Sequence, residues 1–216
     1  MKNENLIVEA IDKLRGENKE VTEILRRFLM TNQANTRCKF DLYNCVEKDG
    51  LRPAMRGVFH ENGKRIATNV YALFVLNNEV YPSEYEGKII DKTGLQIDEK
   101  YVNYNAVIPS KENMQITWHI DRERIQDAIK QERVNRKAFA KSITIIRIGK
   151  ICFLPSSLMS IANFAAAKGE DTLYLKNECF PACVYCEDGS FGLIMHRQPI
   201  HEGTGEDIEH IAIIDL

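Results

Sequence analysis

One dipeptide constrains this chain's fold more than any other feature. Asn62-Gly63 lies between Gly57-Val58-Phe59 and Arg65-Ile66-Ala67-Thr68, with Glu61 and Lys64 on its flanks. The two-residue turn that matches the twist of paired strands needs positive φ at both central positions, and Asn and Gly tolerate that best. An Asn-Gly pair between two apolar runs therefore predicts an antiparallel hairpin. Tyr71 to Leu76 continues the pattern as a buried strand.

Turn residues punctuate the stretch that follows, at Pro82, Gly87 and Gly94, and Ile108-Pro109-Ser110 closes it because proline stops regular pairing. Ile116 to Ile120 alternates like a strand. Asp121 is placed to cap a helix that runs through Ile125, Ala128 and Ile129 to about residue 138. Ser142 to Phe153 reads as two strands around Gly149-Lys150. Pro155-Ser156-Ser157 opens a helix by capping chemistry, and Gly169 ends it after Lys168. Strands are expected over Asp171 to Leu175, Ala182 to Tyr185 and Phe191 to Met195, with a turn at 187–190. Residues 198–207 read as loop, and Ile208 to Leu216 as a last strand at a sheet edge. At the other end, Leu6, Ile7, Ala10, Ile11 and Leu14, then Val21, Ile24, Leu25, Phe28 and Leu29, predict two short helices forming a hairpin. The expected organisation is an N-terminal helical segment and linker over 1–37, then lobes over 38–112 and 113–216. The class is α+β, with antiparallel sheets and few helices.

Composition narrows the function. Apolar residues make up 44% and charged residues 28% of the 216, so a packed core is expected. A net charge of -2 argues against a general nucleic-acid coat, though not against one basic face on an acidic body. No run approaches 18 uncharged apolar residues, so no spanning helix and no membrane partner are expected. The opening Met-Lys-Asn-Glu-Asn is unlike a signal peptide, and six unevenly spaced cysteines then read as thiols in a reducing cytoplasm.

Motifs for bond-making chemistry are missing. There is no phosphate-binding glycine loop, no dinucleotide fingerprint, no nucleophile elbow and no paired zinc-ligand histidines. Cys179, Cys183 and Cys186 do have the C-x3-C-x2-C spacing that holds three irons of a cluster in radical SAM enzymes. Only 30 residues follow Cys186, where such enzymes place most of a barrel. Period-two alternation also separates Cys186 from the other two. A zinc site with His196 or His201 is the related alternative. Free core cysteines, no metal, no cofactor and no catalytic residue are the expectation, with a metal or Fe–S enzyme kept as the alternative.

Three stretches, in order, carry a family resemblance. The first is Arg52-Pro53-Ala54-Met55-Arg56-Gly57-Val58-Phe59 with Ile66-Ala67-Thr68-Asn69-Val70-Tyr71-Ala72-Leu73. The second is Tyr104-Asn105-Ala106-Val107-Ile108-Pro109. The third is Ser157 to Phe164, Asp171 to Leu175 and Phe191-Gly192-Leu193-Ile194-Met195-His196-Arg197. Together they resemble the middle and last domains of the bacterial DNA polymerase III beta subunit, the sliding clamp, in a shortened and divergent form.

That resemblance implies a DNA-clamp-like fold of two related lobes. It also implies a processivity factor in DNA replication that works by topology, its inward helices meeting duplex DNA without sequence preference. A ring of six domains would need a homo-oligomer, a trimer of two-lobed chains. The DNA-facing residues implied are Arg122, Arg124, Lys130, Arg133, Arg136, Lys137 and Lys141. The family's second feature is a groove between its middle and last domains for hydrophobic peptide motifs of replication proteins. It carries over to Arg52, Met55, Gly57, Thr68, Tyr71, Ala72, Pro109, Leu193 and Met195. Asn69-Val70-Tyr71-Ala72 departs from the family's Asp-Gly-His-Arg, and no counterpart of the family's first domain is expected. A clamp-fold interaction module that does not encircle DNA is therefore the alternative function.

Overall fold

A computed structural model describes Ala10 and residues 40–48, 52–138, 142–177, 180–197 and 210–216. The expected N-terminal helical hairpin, Lys141, Cys179, His201 and the loop over 198–207 lie outside the described residues, Ala10 apart. The chain divides into two compact units. The first runs to Ile108 and includes Tyr185–Phe191, and the second joins Pro109–Val184 to Gly192–Leu216.

The first unit is built on the expected hairpin. Strands β1 (Val58–Glu61) and β2 (Lys64–Thr68) pair antiparallel with Glu61 opposite Lys64. Asn62 and Gly63 between them have φ of 50° and 72°, the mirror-image turn that an L-residue with a larger side chain resists. Strand β3 (Ala72–Leu76) pairs with β2. The two-residue strands β4 (Ile89–Ile90) and β5 (Gln96–Ile97) extend the sheet beyond β1, in the order β5-β4-β1-β2-β3. Strand β2 is buried almost throughout and β3 nearly so, which is why Ile66-Ala67 and Leu73-Phe74-Val75 lack polar alternation. Phe40 packs edge-on to Phe74 at 5.0 Å, and Phe59 stacks on Tyr101 at 4.8 Å on the opposite face. Between β3 and β4 the chain makes one short 3-10 turn, Ser83–Tyr85, in the stretch that Pro82 and Gly87 mark as turn-rich.

The second unit has two sheets. Strand β6 (Ile116–His119) leads into helix α1 (Arg122–Ala138). The Asp121 carboxylate accepts the Arg124 N–H at 3.0 Å and caps the helix as expected. Strands β7 (Ser142–Ile148) and β8 (Ile151–Phe153) form an antiparallel pair around Gly149. Helix α2 (Pro155–Lys168) ends on Gly169 at φ 76°, whose N–H returns to the last turn. Its start differs from the expectation. The capping position is Leu154, with no side-chain cap, and Ser156 and Ser157 already lie inside the helix. Proline at the first helical position needs no partner for a missing N–H, so the serines are not required to cap.

Strands β9 (Thr172–Leu175), β10 (Ala182–Tyr185) and β11 (Phe191–Ile194) complete one sheet, ordered β11-β10-β9-β6. Strand β12 (His210–Asp215) runs parallel to β7 and gives the second sheet the order β12-β7-β8. It is an edge strand, as expected. Leu158, Ile161, Phe164 and Leu173 are fully buried in this unit. The architecture is α+β, with every pair but β12–β7 antiparallel among those described.

Candidate functional site

Helix α1 carries six basic side chains against three acidic ones. Ile125 and Ala128 bury one side of it, and Asn135 donates to the Thr144 hydroxyl at 3.3 Å on the same side. Arg122, Arg124, Lys130, Arg133, Arg136 and Lys137 are all exposed, but they do not share one direction. Residues three or four apart lie on one helix face. Arg122, Lys130, Arg133 and Lys137 satisfy that relation through Gln126 and make a stripe, which Arg136, three residues from Arg133, borders. Arg124 points elsewhere and donates to the Asp215 carbonyl at 3.1 Å, which ties α1 to β12. Arg136 pairs with Glu132 at 2.7 Å, one turn back. Within the stripe, Lys130 bonds Asp127 at 2.7 Å and Arg122 donates to Asn163 at 2.8 Å. Arg133 and Lys137 form no ion pair among the described residues, so their charge is the most available.

The implied peptide-groove residues fall in both units. In the first, Arg52 is exposed beside a short 3-10 turn, Pro53–Met55, and Met55 is buried. Gly57 is also buried, because a Cβ there would lie 2.7 Å from the Ile90 carbonyl oxygen. The turn between β2 and β3 is tied by side chains. The Thr68 hydroxyl donates to the Ala72 carbonyl at 2.7 Å, and the Asn69 carboxamide accepts from Tyr71 and Ala72 N–H groups at 3.2 and 2.9 Å. This bracing holds Val70 at φ 75°, a conformation a β-branched residue strongly resists. It also turns the Tyr71 ring outward at 70% exposure, so the strand starts one residue later than the sequence suggested. Ala72 is buried. In the second unit, Pro109 is half-buried, Leu193 is buried and Met195 is 37% exposed just past β11. Met55 and Leu193 thus pack as core, while Tyr71 and Met195 offer apolar surface.

Beneath β1 and β2 of the first unit lies a buried polar pair that the sequence reading did not single out. His60 and Arg65 are cross-strand partners and both are buried. Burial, and then the neighbouring Arg65 charge, push the His60 imidazole down to about 3. Its ring lies 4.8 Å from Tyr81 and 5.3 Å from Tyr85. Arg65 reaches the Glu79 carboxylate at 3.4 Å. Their direct opposition across an Asn-Gly turn was the available signal: the register places residues 60 and 65 on one face.

Cys183 is buried and Cys186 half-buried, with Cys179 outside the described residues. Among the described residues no three His, Cys, Asp or Glu side chains converge as metal ligands. No helix among them is long and apolar enough to cross a membrane.

No protein-family model and no curated protein matches the sequence. Solved structures do match by fold. The DNA polymerase III beta subunit of Thermotoga maritima superposes with a TM-score of 0.53 at 11% identity, over 73% of this chain and 61% of that one. The sliding clamp of Bartonella birtlesii, bound to griselimycin, gives 0.54 at 14% identity over 73% and 62%. The Helicobacter pylori beta clamp bound to a DNA ligase peptide gives 0.52 at 12% over 73% and 61%. The chain spans less than two thirds of each of these clamps. An order of short antiparallel strands, a basic helix and a second helix, anticipated from three short sequence stretches, is therefore that of a known architecture: this chain has the fold of the bacterial DNA polymerase III beta sliding clamps, in a divergent form.

Proposed function

We propose that the chain is a sliding-clamp-like processivity factor of the cytoplasm that holds duplex DNA through α1 and makes or breaks no covalent bond. The observation that carries this reading is the stripe Arg122, Lys130, Arg133 and Lys137 on the exposed face of α1, within a clamp fold. Four cations along one helix face match a run of phosphates, and phosphate contacts carry no sequence information. The overall charge of -2 limits the attraction to that face. Hydrophobic peptide motifs of replication proteins are the second proposed partner, for which Met195 of the second unit offers exposed apolar surface. The DNA ligase peptide bound to the Helicobacter pylori clamp supports a peptide as ligand.

The test is fluorescence anisotropy on a labelled duplex across a salt series. Arg133→Glu with Lys137→Glu is expected to weaken binding at least tenfold at low salt. It should also flatten the dependence of log K on log salt by roughly 1.8, since each phosphate contact contributes about 0.9. Lys92→Glu with Lys100→Glu makes the same charge change at exposed positions of the first unit and is expected to leave the slope intact. Equal losses in both variants would reduce the effect to net charge and remove α1 as the DNA face.

A further inference from the structure

The second unit contains a cleft of about 250 Å³ that the clamp resemblance does not assign. Ile116 and Leu175, directly paired across β6 and β9, line one side. Ile148 and Ile151, on either arm of the β7–β8 turn, line the other. Lys150 and Lys176, with Gly149 and Asn177, complete it, and no carboxylate lines it among the described residues. None of these residues belongs to the DNA-facing or peptide-groove sets.

Size limits what such a cleft holds. Sites for whole cofactors or drug-sized ligands start near 300 Å³, so this one suits one or two aliphatic side chains. Its walls are apolar and reach water at one of them: Ile116 is 47% exposed, while Leu175, Ile148 and Ile151 are buried. An exposed isoleucine beside two cations and no anion is complementary to an aliphatic residue flanked by carboxylates. The Lys176 ammonium is held over the Phe180 ring at 4.1 Å, which fixes one of the two charges in place. The backbone adds a second kind of complementarity. Among the described residues β6 pairs with β9 alone, so its other edge is open to a further strand.

We propose that this cleft is a docking site for an extended, acidic–aliphatic segment of a partner protein. The segment lies along the open edge of β6, places an aliphatic side chain between Ile116 and Ile151, and sets its flanking carboxylates against Lys150 and Lys176. Strand addition of this kind takes affinity from main-chain hydrogen bonds and specificity from the side-chain pocket. The proposal draws on neither α1 nor DNA, so it stands or falls apart from the function proposed above.

The protein supplies its own reporter. Trp118 is the sole tryptophan, and it lies two residues along β6 on the face that carries Ile116. Two capped probe peptides, Glu-Val-Ile-Val-Glu and Lys-Val-Ile-Val-Lys, are titrated into the full chain while Trp118 emission is read. A saturable shift with the acidic peptide is expected, at least tenfold tighter than with the basic one and weakening as salt rises. Lys150→Glu with Lys176→Glu should exchange the preference, with circular dichroism reporting the fold. Should that pair fail to fold, Lys150→Glu alone, at an exposed turn position, should still narrow the difference. No saturable shift, or equal affinity for both peptides, would overturn the proposal. An emission shift that follows protein concentration without peptide would put a second copy in the cleft and overturn it equally.

Discussion

His60 shows how a single position ties folding to pH. Burial and Arg65 hold its folded-state value at about 3, against about 6.5 for an unfolded histidine. Above pH 6.5 the imidazole is neutral in both states and its contribution is fully present. As pH falls below 6.5 the unfolded chain takes up a proton that the folded chain refuses, so stability drains away until pH nears 3. At pH 4.5 the loss would be at most about 2.7 kcal/mol, from two units at 1.36 kcal/mol each. Urea midpoints at pH 7 and pH 4.5 read this directly. His60→Gln, which cannot titrate, should fall less between the two pH values than the parent chain. Parallel falls would remove His60 as a cause of acid sensitivity. The residue scale was also where the sequence was least legible. Val70 gave no sign of a left-handed backbone, because that conformation is imposed by hydrogen bonds that the Val70 and Tyr71 N–H groups donate to the Thr68 hydroxyl and the Asn69 carboxamide, and not by its own preference. The same bracing turned Tyr71 outward from a run that reads as uniformly apolar.

Elements were far more legible, for an identifiable reason. Helices α1 and α2 are bounded by local chemistry, Asp121 at one start and Gly169 at one end, and the first hairpin by Asn62-Gly63. Such signals act within a few residues and survive without knowledge of the partner strands. Strand β12 is a harder case. Its apolar run marks a strand, but nothing local says that it pairs in parallel with β7, since that pairing joins residues 142–147 to 210–215. The register is held by Arg147, whose guanidinium bonds both Asp215 carboxylate oxygens at 2.5 and 2.9 Å, and by the Leu216 N–H on the Arg147 carbonyl. Likewise, the stripe on α1 was blurred in the sequence because Arg124 and Arg136 look equivalent to Arg133 until their partners are known. Removing residues 210–216 should bare the outer edge of β7, a seven-residue strand with four isoleucines. If β12 contributes about 2 kcal/mol, the melting midpoint should drop by roughly 4–8 °C, with light scattering rising with concentration. A truncated chain that stays monodisperse at an unchanged midpoint would make β12 dispensable.

At the scale of the whole molecule, the choice is between a ring and a clamp-fold module that never encircles DNA, and counting charges can separate them. One α1 offers four cations along its stripe. Since each neutralised phosphate contributes about 0.9 to the salt dependence, one copy acting through that stripe cannot give a slope steeper than roughly 3.6. A closed ring brings several stripes to one duplex and exceeds that limit without any stronger individual contact. Three copies of the 24.8 kDa chain would scatter as about 74 kDa, and such a trimer should separate into single chains on dilution if its interfaces are small. Mass and slope must then change together: above the dissociation range, about 74 kDa with a slope steeper than 3.6, and below it, 24.8 kDa with a shallower one. A chain that scatters as a monomer at every concentration, with a slope that never passes the single-helix limit, would be a module using the clamp fold as a platform for protein contacts. DNA would then be at most a surface against which α1 rests.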